Sequence, residues 1–327
     1  MNDTNVTYNI ILAPGDVVTG VRQDGGEGHP VVLTGTRPVE GAEPQALLYR
    51  GPLSPTDSSG SAVLTPAFPG QTVTTSTFYG PDTPLFNPRI GQGNVRAVGS
   101  YKYAEAPQPK ADHGMMYEGP LDGTGIWTNL DVPQDVAGGT VSSTIPHSTM
   151  GDLVVGNFDL ADKPGSAAAF IYHIAGKSFF KLSLGPLTTA YGIWQNGGDE
   201  SASYTIVGGY KGNEGLNLGF VLDYDAASQT ISHVTSYSYD DKPGIVSHFE
   251  GISGIADGYS LAATTDAGAA YVVIGRNSEG GFGEARWLAV AYPGSSSIST
   301  GNTVIDNRLM GIAATSNGIQ AYLATIG

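Results

Sequence analysis

The sequence has 327 residues, and its 47 Gly and 20 Pro residues indicate a chain that turns often. Its 40% of hydrophobic residues can bury a sizeable core, which excludes wholesale disorder. The formal net charge of −15 disfavours nucleic acid and anionic membrane surfaces as partners, and the absence of Cys excludes disulfides, thiolate metal sites and a cysteine nucleophile.

The chain is built from short strands that repeat. Runs of Val, Ile, Leu, Tyr, Phe and Thr alternate with Gly, Pro, Asn, Asp and Ser, which is the pattern of strands joined by turns. A first strand, usually centred on Gly, recurs about every 58 residues. Its copies are 19–21, 78–80, 145–147, 191–193, 250–252 and 310–312. The third copy departs from this pattern because His147 stands where the other copies have Gly.

Further strands follow the first in each repeat. The second strand occurs at 31–36, 95–101, 153–158, 204–210, 259–264 and 321–325. The third occurs at 47–53, 115–121, 169–173, 220–224 and 271–274, and the fourth is clear at 126–133 and 285–290. Four strands with a turn at each junction form the unit of a β-propeller, whose blades surround a central channel. We therefore predict an all-β fold in which 1–327 form a single β-propeller domain.

The two ends of the chain are predicted to complete one blade together. The segment 8–15 has the apolar run followed by Pro that also ends the repeat at 130–133, and the final repeat stops after two strands. Pairing of the N-terminal strand with the C-terminal repeat would close the ring and protect two sheet edges. The predicted blades cover approximately 15–66, 71–133, 140–184, 187–235, 245–291, and 303–327 with 5–14. Six blades are expected, with five, seven or a three-stranded last blade as alternatives.

Three strings of the repeat carry a resemblance to a known family. The strings at 129–133, at 191–193 with 204–210, and at 219–224 resemble HAF repeats, which are bacterial, largely extracellular tandem repeats. The resemblance covers most of 45–235 and implies a repeat propeller in an extracellular or periplasmic location. The N-terminus of the sequence lacks a secretory signal pattern. The family has no agreed activity, so the resemblance implies no catalytic residue.

Candidate functional residues lie in and beside the first strands, which line the channel of a propeller. They are Arg22 with Asp24, Tyr79 with Asp82, His147, Tyr191, Trp194 with Gln195, His248 with Glu250, and Asp306 with Arg308. Strand alternation places His248 and Glu250 on one face, and it does the same for Asp306 and Arg308. Such a ring would bind a polar ligand, or it would perform acid–base chemistry with His248 titrating near neutral pH and Arg308 holding a carboxylate.

Structural alternatives stand beside these interpretations. The His248–Glu250 pair also fits a solvated contact in a wet channel, and His147 also fits a loop filler. Trp194 is predicted to lie in a loop beside amides, where it would stack on a sugar ring or simply pack. Calcium is a further alternative, because 223–225 and 239–241 carry carboxylates that suit either this cation or turn geometry. No other cofactor is predicted.

Three functions remain open at this point. The first is a secreted propeller that binds a polar small molecule or glycan in its central funnel or blade loops. The second is a lyase or hydrolase with His248, Glu250, His147, Arg308 and Tyr79 as acid–base residues at the channel mouth. The third is a structural surface-interaction array. The sequence lacks GxSxG, HExxH and P-loop motifs, and it has no apolar run of the roughly 20 residues that a membrane helix needs.

Overall fold

Antiparallel strands make up almost all of the regular structure. The computed structural model describes residues 5–25, 30–53, 59–106, 111–212, 215, 217–239, 247–297 and 299–327, apart from the side chains of 164 and 165. These residues form six four-stranded sheets, which are the blades of a β-propeller. The predicted all-β, six-bladed fold is therefore confirmed. No helix in the described ranges has the length and apolar character needed to cross a membrane.

The strands follow one another in chain order through the blades. They are β1 (Val6–Ile11), β2 (Val17–Gln23), β3 (Val31–Val39), β4 (Ala42–Gly51), β5 (Ser61–Leu64), β6 (Val73–Asp82), β7 (Val95–Tyr103), β8 (His113–Gly119), β9 (Ile126–Asn129), β10 (Val141–Met150), β11 (Leu153–Leu160), β12 (Lys163–His173), β13 (Ser178–Leu182), β14 (Thr189–Gln195), β15 (Ser203–Lys211), β16 (Asn217–Asp225), β17 (Thr230–Tyr237), β18 (Ser247–Ile255), β19 (Gly258–Thr265), β20 (Gly268–Arg276), β21 (Phe282–Ala289), β22 (Thr303–Ile305), β23 (Arg308–Thr315) and β24 (Gly318–Ile326). Blades 1 to 5 are β2–β5, β6–β9, β10–β13, β14–β17 and β18–β21. Blade 6 has the order β1-β24-β23-β22. A 3-10 turn (Pro88–Ile90) and the short helix α1 (Gln134–Ala137) lie in connections.

In blades 1 to 5 the second strand is buried along most of its length, whereas the outer strand is not. All residues of 95–101 in β7 are buried, and so are those of 153–158 in β11. In contrast, β17 and β21 mainly alternate between exposed and half-buried positions. A strand that is covered on both faces reads as a continuous apolar run. This explains why the second strand gives the strongest repeat signal in the sequence.

Blade 6 joins the two ends of the described chain. Strand β1 pairs with β24 from Val6 opposite Ile326 to Ile11 opposite Ala321, which confirms the predicted closure. The blade has four strands, and the predicted strand order within it is wrong. The segment 310–312 belongs to the second strand, β23, and 321–325 belongs to the third, β24. The true first strand, β22, was missed because it has only three residues and no Gly.

The chain divides into two compact units, whose main boundaries fall within the first strands β2 and β14. Unit 1 is Met1–Thr19, Leu53–Ser59 and Gly192–Gly327, and unit 2 is Gly20–Pro52 and Gly60–Tyr191. Within each unit the core lies between facing sheets. In unit 2, Trp127 stacks on Phe78 with ring centroids 5.8 Å apart, and in unit 1 Trp287 stacks on Phe249 at 5.6 Å. These two tryptophans therefore pack in the cores, as their equivalent fourth-strand positions predict.

Glycine recurs in the first strands because neighbouring blades approach closely there. A Cβ atom at Gly80 in β6 would lie 2.6 Å from the carbonyl oxygen of His147 and 2.8 Å from Cα of Ser148, both in blade 3. A Cβ atom at Gly251 in β18 would lie 2.8 Å from Cα of Thr303 in blade 6. These neighbours are backbone atoms that cannot rotate away, so a side chain would force the strands apart.

Candidate functional site

Three first strands contain a β-bulge at an equivalent position. The pairing of β6 with β7 skips Tyr79, that of β10 with β11 skips His147, and that of β18 with β19 skips Glu250. A bulge re-aims the side chain at its position and is frequent next to functional sites. The register also corrects the sequence alignment: His147 is equivalent to Tyr79, and Ser148 takes the place of Gly80.

In unit 2, the first strands bring three rings into a row. The centroid of the Tyr79 ring is 5.0 Å from that of His147, and the His147 centroid is 4.6 Å from that of Tyr191 in an edge-to-face arrangement. The three residues come from β6, β10 and β14, and each is half-buried. We call Tyr79, His147 and Tyr191 the aromatic row. The sequence predicted all three as candidates, and the structure brings them into contact.

The imidazole in the middle of the row is held by a buried amide. The Nε2 atom of His147 donates to Oδ1 of Asn157 in β11 at 2.7 Å, and Asn157 is buried. Asn157 is not among the candidate residues predicted from the sequence. In the second strands of blades 1, 2 and 4 the equivalent position carries the small residues Thr36, Ser100 and Gly209, so an amide in this place was the available signal.

In unit 1, the predicted pair in β18 is present. The Nε2 atom of His248 lies 2.7 Å from Oε1 of Glu250, and each side chain is about one quarter exposed (25% and 24%). Burial lowers the pKa of His248, but the charge and hydrogen bond of Glu250 raise it by more, so the pKa lies above its usual value of 6.5. The contact with Glu250 therefore favours the protonated imidazole, which can release its proton to a nearby base.

Arg22 and Asp82 are buried at the ends of first strands in unit 2. The Nε and Nη2 atoms of Arg22 donate to the carbonyl oxygens of Pro81 and Thr149 at 3.3 and 3.4 Å, and only 6% of the residue is exposed. Asp82 is fully buried and accepts from the backbone amide of Gly151 at 3.0 Å. Burial lowers the pKa of Arg22 and raises that of Asp82, while their opposite charges oppose both shifts. These hydrogen bonds connect blades 1, 2 and 3.

Two other arginines lie at this end of the blades, and neither is among the candidates predicted from the sequence. Arg96 at the start of β7 donates through Nε to Glu118 at 2.7 Å and through Nη1 to the carbonyl of Gly151 at 2.6 Å. Arg50 in β4 forms an ion pair with Asp24 at 2.8 Å. Arg50 lies in the third strand of blade 1, which does not pair with the first strand that precedes Asp24. The contact between the two residues therefore does not follow from strand pairing.

Trp194 and Gln195 lie in β14, which corrects the predicted loop position. The loop signal of the sequence belongs to the following residues, 196–198, where the turn begins. Trp194 is half-buried and packs against the core of blades 4 and 5. Gln195 is buried, and its Nε2 atom donates to the carbonyl oxygen of Ser201 at 2.7 Å. Trp194 therefore packs in the core, and Gln195 stabilises the turn that follows β14.

Asp306 and Arg308 do not share a strand face, so that prediction is wrong. Asp306 lies in the turn between β22 and β23 with φ of 52°, and Arg308 is the first residue of β23. The turn interrupts the alternation on which the prediction depended. The carbonyl oxygen of Asp306 accepts a hydrogen bond from the hydroxyl of Tyr271 at 3.0 Å. Arg308 is half-buried.

The carboxylates proposed for calcium are engaged by protein donors. Asp223 accepts from Nη1 and Nη2 of Arg276 at 2.6 and 2.7 Å and from Nδ1 of His233 at 2.9 Å. Asp225 accepts from the amide of Ser228 at 2.7 Å within its turn. The carboxylates at 240 and 241 lie outside the described residues. Across the ranges that the structure describes, no group of three or more His, Asp or Glu residues could hold a metal ion.

Comparison with known proteins identifies the fold. No family model matches the chain, and no curated protein matches it. Trypanosoma rangeli sialidase, solved as a covalent intermediate with 2,3-difluorosialic acid, has a TM-score of 0.51 and 8% identity over 96% of this chain. A β-xylosidase/α-arabinofuranosidase from a compost microbial metagenome, in complex with xylotriose, has a TM-score of 0.41 and 11% identity, covering 80% of this chain and 93% of the enzyme.

A third similar structure is the extracellular domain of a hybrid two-component system from B. thetaiotaomicron, with a TM-score of 0.41 and 10% identity over 97% of this chain. The chain spans 40% of the length of that protein and 54% of the length of the sialidase. At these identities, the similarity to the sialidase supports the propeller fold alone.

Proposed function

We propose that the first strands of blades 2 to 4 bind a glycan through the aromatic row. The observation that carries this proposal is the contact between Tyr79, His147 and Tyr191, whose ring centroids are 5.0 and 4.6 Å apart. Aromatic faces pack against the apolar C–H face of a sugar, while phenol and imidazole groups exchange hydrogen bonds with its hydroxyl groups. One row thus offers both kinds of contact that a sugar ring requires.

The setting of the row supports a binding role. Two of its members stand at β-bulges, and the buried Asn157 fixes the orientation of the central imidazole. Side chains that are held in this way lose little conformational entropy when a ligand binds. Each ring is half-buried rather than fully enclosed, which leaves surface for contact. In keeping with its resemblance to HAF repeats, we further propose that the protein acts outside the cytoplasm.

A second candidate is a lyase or hydrolase that uses His248 and Glu250. The observation that favours it is their 2.7 Å hydrogen bond in a bulged first strand, together with the raised pKa of His248. A positioned imidazolium is a general acid near neutral pH, and its carboxylate partner stabilises that charged form. In such a reaction the imidazolium would donate its proton to the leaving group while a bond of a bound polar substrate is broken by water or by elimination.

A glycan array followed by calorimetry tests the binding proposal. The wild-type protein should bind at least one glycan, and Tyr79→Ala and Tyr191→Ala should each weaken that binding about tenfold, which corresponds to roughly 1.4 kcal/mol of ring contact. Tyr210→Ala is the matched control, because Tyr210 contacts Ser236 at an exposed site of blade 4. Equal affinities for all four proteins would contradict the proposal.

The two candidate functions differ in what happens to the ligand. A binding propeller should return the bound glycan unchanged after long incubation, as mass spectrometry would show. An enzyme should release product, and Glu250→Gln should slow that release while leaving binding at the aromatic row in place. Product formation that is unaffected by both His248→Gln and Glu250→Gln would exclude the pair from catalysis.

A further inference from the structure

A polar cleft lies between blades 2 and 3, away from the aromatic row. Its volume is about 240 Å³, and one wall is formed by Asp112, His113 and Asp131. The opposite wall is the start of β10, with Ser142 and Ser143. Ser143 and His147 are four residues apart in the same strand, which is a separation of about 13 Å at 3.3 Å per residue. The cleft is therefore a separate place for a ligand.

Hydrogen bonds fix the tautomer of the histidine in the cleft. Asp131 accepts at Oδ1 from the amide of Gly114 at 2.8 Å and at Oδ2 from the side-chain amide of Asn129 at 3.1 Å. Its carboxylate is thus an acceptor, so His113 must donate to it through Nδ1, at 2.8 Å. The Nε2 atom of the neutral ring then carries a lone pair and can accept a hydrogen bond from a ligand.

The other polar groups of the cleft are also positioned by contacts between the two blades. Asp112 accepts from the hydroxyl of Ser100 at 3.0 Å and lies 3.5 Å from Nζ of Lys102. Its backbone amide donates to Oγ of Ser143 at 3.4 Å, and its carbonyl accepts from the amide of Thr144 at 2.8 Å. These hydrogen bonds hold the carboxylate of Asp112 and the hydroxyl of Ser143 in place, so both need little reorganisation to bind a ligand.

The chemistry of the lining selects among ligand classes. The two carboxylates disfavour binding of an anion. They also attract a cationic ammonium group only weakly, because Lys102 lies beside Asp112 and Asp131 already accepts three hydrogen bonds. Hydroxyl groups fit best, because they donate to carboxylates and to an imidazole lone pair and accept from serine. Val132, Pro133 and Val141 add an apolar surface for C–H groups. A volume of about 240 Å³ lies below the usual range for drug-sized ligands and suits a single ring.

We propose that this cleft is a second ligand site, which binds one sugar or cyclic polyol unit through its hydroxyl groups. The proposal does not depend on the function of the aromatic row. His113 Nε2 and the carboxylate of Asp112 accept hydrogen bonds from the ligand, and Ser143 both donates and accepts. The apolar residues at the rim cover the C–H face of the ring.

NMR titration of the folded, full-length chain tests this site. Methyl glycosides of the common hexoses and myo-inositol would be added one at a time while the imidazole signals of His113 and His233 are recorded. At least one compound should shift the His113 signals saturably. His233 is the matched control, since its Nδ1 atom pairs with Asp223 at 2.9 Å in the same way but in unit 1. If no compound shifts the His113 signals saturably, the proposal is wrong.

Variants identify the residues and keep the two sites apart. His113→Gln should weaken binding at least tenfold, and Ser143→Ala, which removes a hydroxyl that the proposal places on the ligand, should weaken it severalfold. His233→Gln and Tyr79→Ala should leave the affinity for the cleft ligand unchanged. Equal affinity of the Ser143→Ala and wild-type proteins would contradict this placement of the ligand, whatever the stability of His113→Gln. Loss of binding in Tyr79→Ala would assign the ligand to the aromatic row.

Discussion

The close approach of blades 2 and 3 makes Gly80→Ala a sensitive test of the structure. The new Cβ atom would lie 2.6 Å from the carbonyl oxygen of His147, so β10 must retreat by about 0.8 Å to reach the 3.4 Å of an ordinary contact. Overpacking of this kind costs about 1–3 kcal/mol. With an unfolding entropy of about 2.1 cal/mol/K per residue over 327 residues, Tm should fall by about 1.5–4.5 °C.

Thermal and urea unfolding measure this effect, and Gly283→Ala is its control. A Cβ atom at Gly283 in β21 would meet nothing closer than 3.4 Å, so that variant should be neutral or slightly more stable. Gly80→Ala should also widen the spacing between Tyr79 and His147, and it should lower the affinity for any glycan that contacts both rings. If the two variants unfolded at the same temperature, the first-strand glycines would not be contact points between blades.

Three further predictions concern charged groups in unit 1. Arg276→Met removes both hydrogen bonds to the partly buried Asp223 and should lower the free energy of unfolding by about 2 kcal/mol in urea titration, whereas the exposed Arg286→Met should change it by less than about 0.5 kcal/mol. Burial raises the pKa of Asp223, but hydrogen bonds from Arg276 and His233 lower it by more, to below 3.8. Its stabilising contribution is therefore present above pH 3.8 and lost as the pH falls through the folded-state pKa, so Asp223→Asn should show a flatter stability curve in that acidic range. Glu250→Gln should move the pKa of His248, measured by NMR titration, from above 6.5 to below 6.5, because burial then acts without the opposing carboxylate. Wild-type protein should lose stability as the pH rises from 6.5 through the raised pKa, and the variant should not show this loss.

The fold was predictable because blade strands are covered on both faces. Buried second strands such as β7 and β11 are mainly apolar, and the first strands need Gly where blades meet, so the repeat is visible in one sequence. The prediction failed in blade 6 for the same reason. Strand β22 has three residues and no close-approach glycine, which leaves no pattern to detect.

The candidate site was predictable in its residue types but not in its contacts. Tyr79, His147 and Tyr191 stood out because polar aromatic residues occupy a channel-lining strand. Only the alignment of His147 was wrong, by one position, because Ser148 replaces the glycine that follows the bulge in β6 and strand register alone shows this. The pairing of His147 with Asn157 depends on strand register, and that of Asp223 with Arg276 depends on the packing of one blade on the next. Both are set by tertiary structure.

The sheet that unites β1 with β24 has a consequence for how the protein is made. Residues 6–11 are synthesised well before their hydrogen-bonding partners, residues 321–326. Until residues 321–326 have been made, the edge of β1 that pairs with β24 has no hydrogen-bonding partner. Bringing the two strands together closes a loop of about 310 residues, which carries a large entropic cost. Completion of this blade must therefore follow translation of residue 326. A nascent chain stalled before that point would expose a strand edge that chaperones, or another copy of the same strand, could cover.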